Sequence, residues 1–233
     1  MTSDLPNRNI TTQPGITGVR RYPSTRPPPS RGVSTVSAII EAAERLWGAR
    51  GVEGASLREI SIAAGSANKS SIGYHFGDKH GLIEAVFRVR IPVLEARRQP
   101  MFAAAEAQGA LGDPLTLLRI AFQPVFDEID GQGRHSFAAF LRAVNRYPQW
   151  DSGAGIEKLA PVAHRALAML RQQVSDLPQQ LFDARLRLVY EICYGAITDQ
   201  DDNPPAAGPD IALARKMFDD ALRTCVHLLF IEP

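Results

Sequence analysis

The run Ser56-Leu57-Arg58-Glu59, followed five residues later by Ala64-Gly65, constrains this chain more than any other stretch. A serine three residues ahead of a glutamate forms a capping box. The hydroxyl accepts an orphan N–H at the helix start while the carboxylate reaches back to the cap's own N–H. Gly65 tolerates positive φ, so the helix stops there and the chain turns sharply. This short helix is expected to bury Leu57, Ile60 and Ala63. Upstream, Val36, Ile39, Ile40, Ala43, Leu46 and Trp47 recur at three-and-four spacing, one apolar face of a helix that Gly51 ends. Downstream, Ser66 or Asn68 caps a third helix in which Ile72 and Phe76 face inward. At about 100° per residue, Ser70 and Tyr74 then point away from that pair, with Ser71 nearby. Asp78 caps a fourth helix through Leu82, Ile83, Val86 and Phe87, with a bend expected near Pro92.

Four closely spaced helices thus fill about residues 34–90. The remaining chain is helical by pattern, in segments at about 91–108, 115–129, 135–146, 156–175, 179–198 and 210–231, and no strand run is found. Gly112-Asp113-Pro114, Tyr147-Pro148, Leu177-Pro178 and the 201–209 loop punctuate these helices. The last two carry long apolar stripes: Phe182, Leu186, Val189, Cys193 and Ala196, then Ile211, Ala214, Phe218, Ala221, Cys225 and Leu229. Such stripes exceed what one small domain needs, which predicts a homodimer. The fold class is all-α. Residues 1–33 read as a disordered Arg/Pro-rich arm, 34–90 as a first helical domain and 91–233 as a second.

Charge and composition mostly exclude. A net charge of +1 argues for no particular partner, so a nucleic-acid role must rest on local features. The arm is one: Arg8, Arg20, Arg21, Arg26 and Arg31 face a single acid, Asp4, and suit phosphates or a minor groove as well as they suit a solvated tail. Cys193 and Cys225 are the only cysteines and read as buried thiols in a reducing compartment. No stretch approaches the roughly 18 apolar residues of a membrane span, and the start lacks a secretion signal, so the cytoplasm is the expected location. His80, His135, His164 and His227 show no metal-ligand spacing. No metal, cofactor or catalytic residue is expected.

Two short helices about a glycine turn meet the physical requirement for placing a helix in a major groove. Helical corners also occur without any DNA role. The residues themselves decide between these. Ala38-Ile39-Ile40-Glu41-Ala42-Ala43, Gly51, Ser56-Leu57-Arg58-Glu59-Ile60, Ala64-Gly65, Tyr74-His75-Phe76-Gly77-Asp78-Lys79 and Leu82-Ile83 resemble the signature of TetR/AcrR-type transcriptional regulators. They are similar in particular to a subgroup with an Asn-x-Ser turn and Tyr-His-Phe-Gly. The resemblance covers about residues 34–88. It implies a helix-turn-helix domain that binds operator double-stranded DNA, and a helical C-terminal domain that dimerises and binds a small-molecule effector. Such proteins usually repress transcription until the ligand releases the DNA.

The resemblance also assigns roles. Ser56 and Lys79 match phosphate contacts, and Asn68, Lys69, Ser70, Ser71, Gly73 and Tyr74 cover the recognition segment, with His75 adjacent. Phosphate contacts position the protein while base-edge contacts specify sequence. This chain departs from the common pattern twice: the stretch from Gly65 to Ile72 is one residue longer, and Gly73 stands where a tyrosine is usual. Tyr74 is then the candidate for the displaced phenol. Gly73 is either a tolerated surface glycine or a point of close approach to DNA.

A helical enzyme and a protein-interaction adaptor are the alternatives. Neither gains support from a phosphate-binding glycine loop, a His-Glu-x-x-His run, a nucleophile elbow or paired carboxylates on an apolar face. Phe122, Phe126, Phe137, Phe140, His135 and His164 fall on middle helices where a ligand cavity could form. Aromatic residues at helical spacing are more often ordinary core, so the effector's contacts stay unassigned.

Overall fold

The structure, a computed structural model, describes residues 35–65, 71–150 and 156–232. The expected arm at 1–33 lies outside them. So do Ser66, Asn68, Lys69 and Ser70, and the side chain of Ser71. Among the described residues there are ten α-helices and no strand: α1 (Thr35–Arg50), α2 (Leu57–Ala63), α3 (Ser71–Phe76), α4 (Lys79–Ala107), α5 (Pro114–Phe126), α6 (Ser136–Asn145), α7 (Ile156–Leu159), α8 (Pro161–Gln173), α9 (Gln179–Asp202) and α10 (Ile211–Phe230). The all-α expectation holds. Asp78 caps α4 as expected, accepting from the Gly81 N–H, and two further caps emerge in the structure: Asp113 accepts from Leu115 and Thr116, and Asp210 from Leu213.

Three differences from the sequence reading have physical causes. α4 runs without interruption from Lys79 to Ala107 and crosses position 90, with Pro92 and Pro100 inside it. Both prolines are exposed, so their rings face solvent and the apolar face stays continuous. The expected single segment 156–175 is divided into α7 and α8. Pro161 disfavours helical backbone at the residue before it, and Ala160 accordingly sits at φ −121°, ψ 53°. In α2, Ala63 is exposed and Ser61 is buried in its place, its hydroxyl without a hydrogen-bond partner among the described residues.

The core is organised around Trp47. Its indole is fully buried, its Nε1 donates to the Ala55 carbonyl at 3.1 Å, and its ring stacks on Phe140 of α6. One side chain thereby fixes α1, the turn after it and α6; truncating a buried tryptophan of this kind costs about 3–5 kcal/mol. Phe87 of α4 meets Phe137 and Phe140 edge-on. Phe122 packs against Tyr194, and Phe126 stacks on Phe218. The middle aromatics are therefore core, while His164 is exposed beside Glu157 and His135 faces Asp201 at 3.2 Å.

Buried charges tie the first four helices to the rest. Glu44 of α1 is only 2% exposed, yet Arg90 of α4 donates to it at 2.6 Å and the Ser136 hydroxyl of α6 at 2.6 Å. Arg98 bonds Glu95 and the Ala121 carbonyl, and Glu95 accepts the Val162 N–H. Buried ions persist when their hydrogen bonds are satisfied in this way, and losing one partner would strand the other. The apolar stripes of α9 and α10 are largely used within the chain: Phe182, Val189, Cys193, Phe218, Cys225 and Leu229 are all buried where α9 packs on α10 and α6, and α10 on α5. Leu188, Ile211, Leu213, Phe230 and Ile231 remain exposed.

Candidate nucleic-acid interface

The candidate surface is built on α2, the turn behind it, α3 and the start of α4. At α2 the expected capping box is complete. The Glu59 N–H donates to the Ser56 hydroxyl at 3.2 Å, while the Ser56 N–H and hydroxyl donate to the Glu59 carboxylate at 2.8 and 2.7 Å. Donation from the Ser56 backbone N–H, then from its hydroxyl, then the charge of Arg50 hold the Glu59 carboxyl below its ordinary range. Ser56 itself is exposed. Its position at the positive end of α2 suits an anion, although its hydroxyl proton already points to Glu59. Gly65 follows at φ +66°, the left-handed turn expected there.

On α3 the inward and outward faces separate cleanly. Ile72 is buried and Phe76 half-buried, whereas Gly73, Tyr74 and His75 are exposed. Tyr74 is 85% exposed, the most open of the large exposed side chains, and its ring meets that of His75 edge-on at 5.1 Å. A phenol so placed has no role in the core. A Cβ added at Gly73 would meet nothing within 4 Å, so packing within the chain does not require glycine there. Gly73, Tyr74 and His75 are thus three successive exposed positions of α3. Asn68, Lys69 and Ser70 lie outside the described residues.

Lys79 sits at the first turn of α4, as expected, but its ammonium folds back. It donates to the Val52 carbonyl at 2.9 Å and lies 3.4 Å from the Glu53 carboxylate. The side chain remains 25% exposed. An ammonium carries three donors, so these two contacts leave one N–H for a further acceptor. Two residues that set the geometry were missed by sequence reasoning. Trp47 reads as one more apolar position in α1, with no sign of its bond to Ala55. A Cβ at Gly81 would fall 2.0 Å from the Phe76 carbonyl oxygen, so the corner between α3 and α4 closes only because that residue is glycine.

The fold and this surface define the class: an all-helical protein whose N-terminal helix-turn-helix presents a polar, exposed second helix. Residues 39–86 match the family model described as bacterial regulatory proteins, tetR family. That match supports a TetR-family regulator, a DNA-binding regulator of transcription. No curated protein matches the chain. Among the described residues no group of three or more His, Cys, Asp or Glu could hold a metal ion, and no helix is long and apolar enough to cross a membrane.

Proposed function

We propose that this protein is a sequence-specific repressor that leaves its operator when a small molecule binds, acting in the cytoplasm as a homodimer. The observation that carries the reading is the exposed α3 face, with Tyr74 projecting from a corner held rigid by the Ser56–Glu59 box, Gly65 and the Gly81–Phe76 approach. Preorganised geometry of this kind suits insertion of a helix into a major groove. In this reading Ser56 and Lys79 position the protein on phosphates, Ser70, Ser71 and Tyr74 face base edges, Asn68, Lys69 and His75 flank them, and Gly73 permits close approach. No catalytic reaction is assigned.

The functional division at residues 90 and 91 falls inside α4. Because α4 also packs on α5 and α8, a shift in the C-terminal helices would be carried to the helix-turn-helix by one rigid element. Leu188 on α9 and Ile211, Leu213 and Phe230 on α10 supply the apolar surface for dimerisation, while the internal stripes serve the monomer core. The arm at 1–33 adds sequence-independent affinity through its arginines. Sequencing the genomic fragments that the full chain retains tests the reading: recovery of a shared, two-fold symmetric site supports it, and recovery of unrelated sequences, or of none, contradicts it.

A further inference from the structure

A cleft of about 440 Å³ opens between the C-terminal end of α1 with its turn, α6, and the end of α9. Small-molecule sites span about 300–1,000 Å³. Its floor lies where α1 crosses α6. A Cβ at Gly48 would stand 3.0 Å from the Ala139 Cβ and 3.1 Å from the Phe140 nitrogen, so the two backbones touch with no side chain between them. Ala143 continues this floor. The result is a firm, smooth, apolar base shared by two helices.

The rim is charged. Arg50 stands on the turn side, Arg142 and Arg146 on the α6 side, and the acids lining the cleft are Glu53 and Asp202. Each guanidinium has a carboxylate beside it, Glu59 for Arg50, Asp202 and Glu191 for Arg142 and Glu191 for Arg146, while Lys79 faces Glu53, so the rim is close to neutral. Arg146 is committed to Glu191 through its Nε at 2.8 Å. Arg142 is not satisfied to the same degree. Its Nη1 reaches Asp202 at 3.3 Å, whereas its buried Nε is 3.7 Å from Glu191 and makes no hydrogen bond. A guanidinium offers five donors in a fixed fork that matches a carboxylate. Here that fork makes a single hydrogen bond among the described residues.

We propose that this cleft binds a small organic monocarboxylate, its carboxylate engaging Arg142 and its short apolar body lying on the floor of Gly48, Ala139 and Ala143. The unmet donors of the Arg142 fork match a carboxylate, and the apolar floor favours a carbon body over a bare inorganic ion. The walls come from both the helix-turn-helix side and the C-terminal helices. A bound carboxylate therefore favours one arrangement of the two and changes operator affinity by the same factor as DNA changes its own binding. This last clause rests on the function proposed above; the site does not.

The test uses the full chain without DNA, with acetate, butyrate and benzoate as probes and their neutral amides as controls, followed by calorimetry and by backbone amide chemical shifts. At least one carboxylate is expected to bind saturably, shifting Gly48–Gly54 and Ala139–Tyr147, while its amide does not. Arg142→Gln should weaken that binding at least about tenfold, one guanidinium–carboxylate interaction's worth. Arg142→Lys, which keeps the charge and loses the fork, should weaken it comparably and guards against a Gln variant that does not fold. The proposal is overturned if no carboxylate shifts these amides, if the amides bind equally well, or if both variants bind as the wild type does. Carboxylate binding by a chain that retains no DNA would leave the site standing and remove the repressor reading.

Discussion

The Lys79 ammonium at the start of α4 donates to the Val52 carbonyl, 2.9 Å away and 27 residues earlier in the chain. One bond thus fixes the position of α4 against the turn that leads into α2, and with the Glu53 contact it leaves one N–H of the ammonium for a further acceptor. Lys79→Ala should lower stability by about 1 kcal/mol, toward the low end for a bond to a charged group because the site is part-exposed. It should also weaken operator and random DNA equally and reduce the salt slope of binding by about one phosphate. Denaturant unfolding and a salt titration check both halves. A lowered stability with an unchanged slope would leave Lys79 with an internal role alone.

Gly81→Ala should damage the corner itself. The new Cβ would meet the Phe76 carbonyl oxygen at 2.0 Å and its carbon at 3.1 Å, and backbone cannot rotate away as a flexible side chain would. A destabilisation of about 1–3 kcal/mol is expected, with a further loss of DNA affinity as α3 tilts. Native stability and native binding in this variant would show that the approach does not set the corner.

Gly73→Ala should separate stability from recognition. The position is exposed, helical and open, so alanine should stabilise α3 by about 1 kcal/mol. If α3 enters a groove at Gly73, the same methyl group should weaken operator binding. A variant both more stable and equally tight would mark Gly73 as a tolerated surface glycine.

Most of the corner was readable because it is local. The Ser56–Glu59 box, the Gly65 turn and the Asp78 cap each depend on residues within four positions of one another, and each is present. The inward face of α3 follows from the spacing of Ile72 and Phe76 in the same way. In α2, seven residues are too few for periodicity to choose between Ser61 and Ala63, and packing chose the serine. The bonds of Lys79 to Val52, Trp47 to Ala55 and Arg90 to Glu44 depend on tertiary placement that no local spacing announces. The break at Ala160 was available from Pro161 alone, but the surrounding helical pattern obscured it.

Acid should weaken the joint between α6 and α9 through Asp201. Burial raises that carboxyl, but hydrogen bonds from the His135 ring and backbone N–H outweigh it and leave it below its ordinary value. A depressed folded value means that the contribution is fully present above the ordinary aspartate range, near 3.8, and is lost as pH falls through the lower folded value. Thermal unfolding of Asp201→Asn against wild type should show a stability difference that is largest near neutrality and shrinks below about pH 4. A difference constant down to pH 2 would contradict the linkage.

Whether the exposed face of α3 reads DNA is tested by equilibrium binding of the full chain to its selected operator and to a scrambled duplex, for wild type and Tyr74→Ala, at one fixed salt concentration. Wild type should bind the operator tighter than the scrambled duplex by a factor of about 10³ or more. Tyr74→Ala should narrow that ratio by about 1–3 kcal/mol while leaving scrambled binding nearly unchanged. Equal affinity of the wild type for both duplexes, or a Tyr74→Ala variant indistinguishable from it, would contradict the claim that the exposed face of α3 reads DNA.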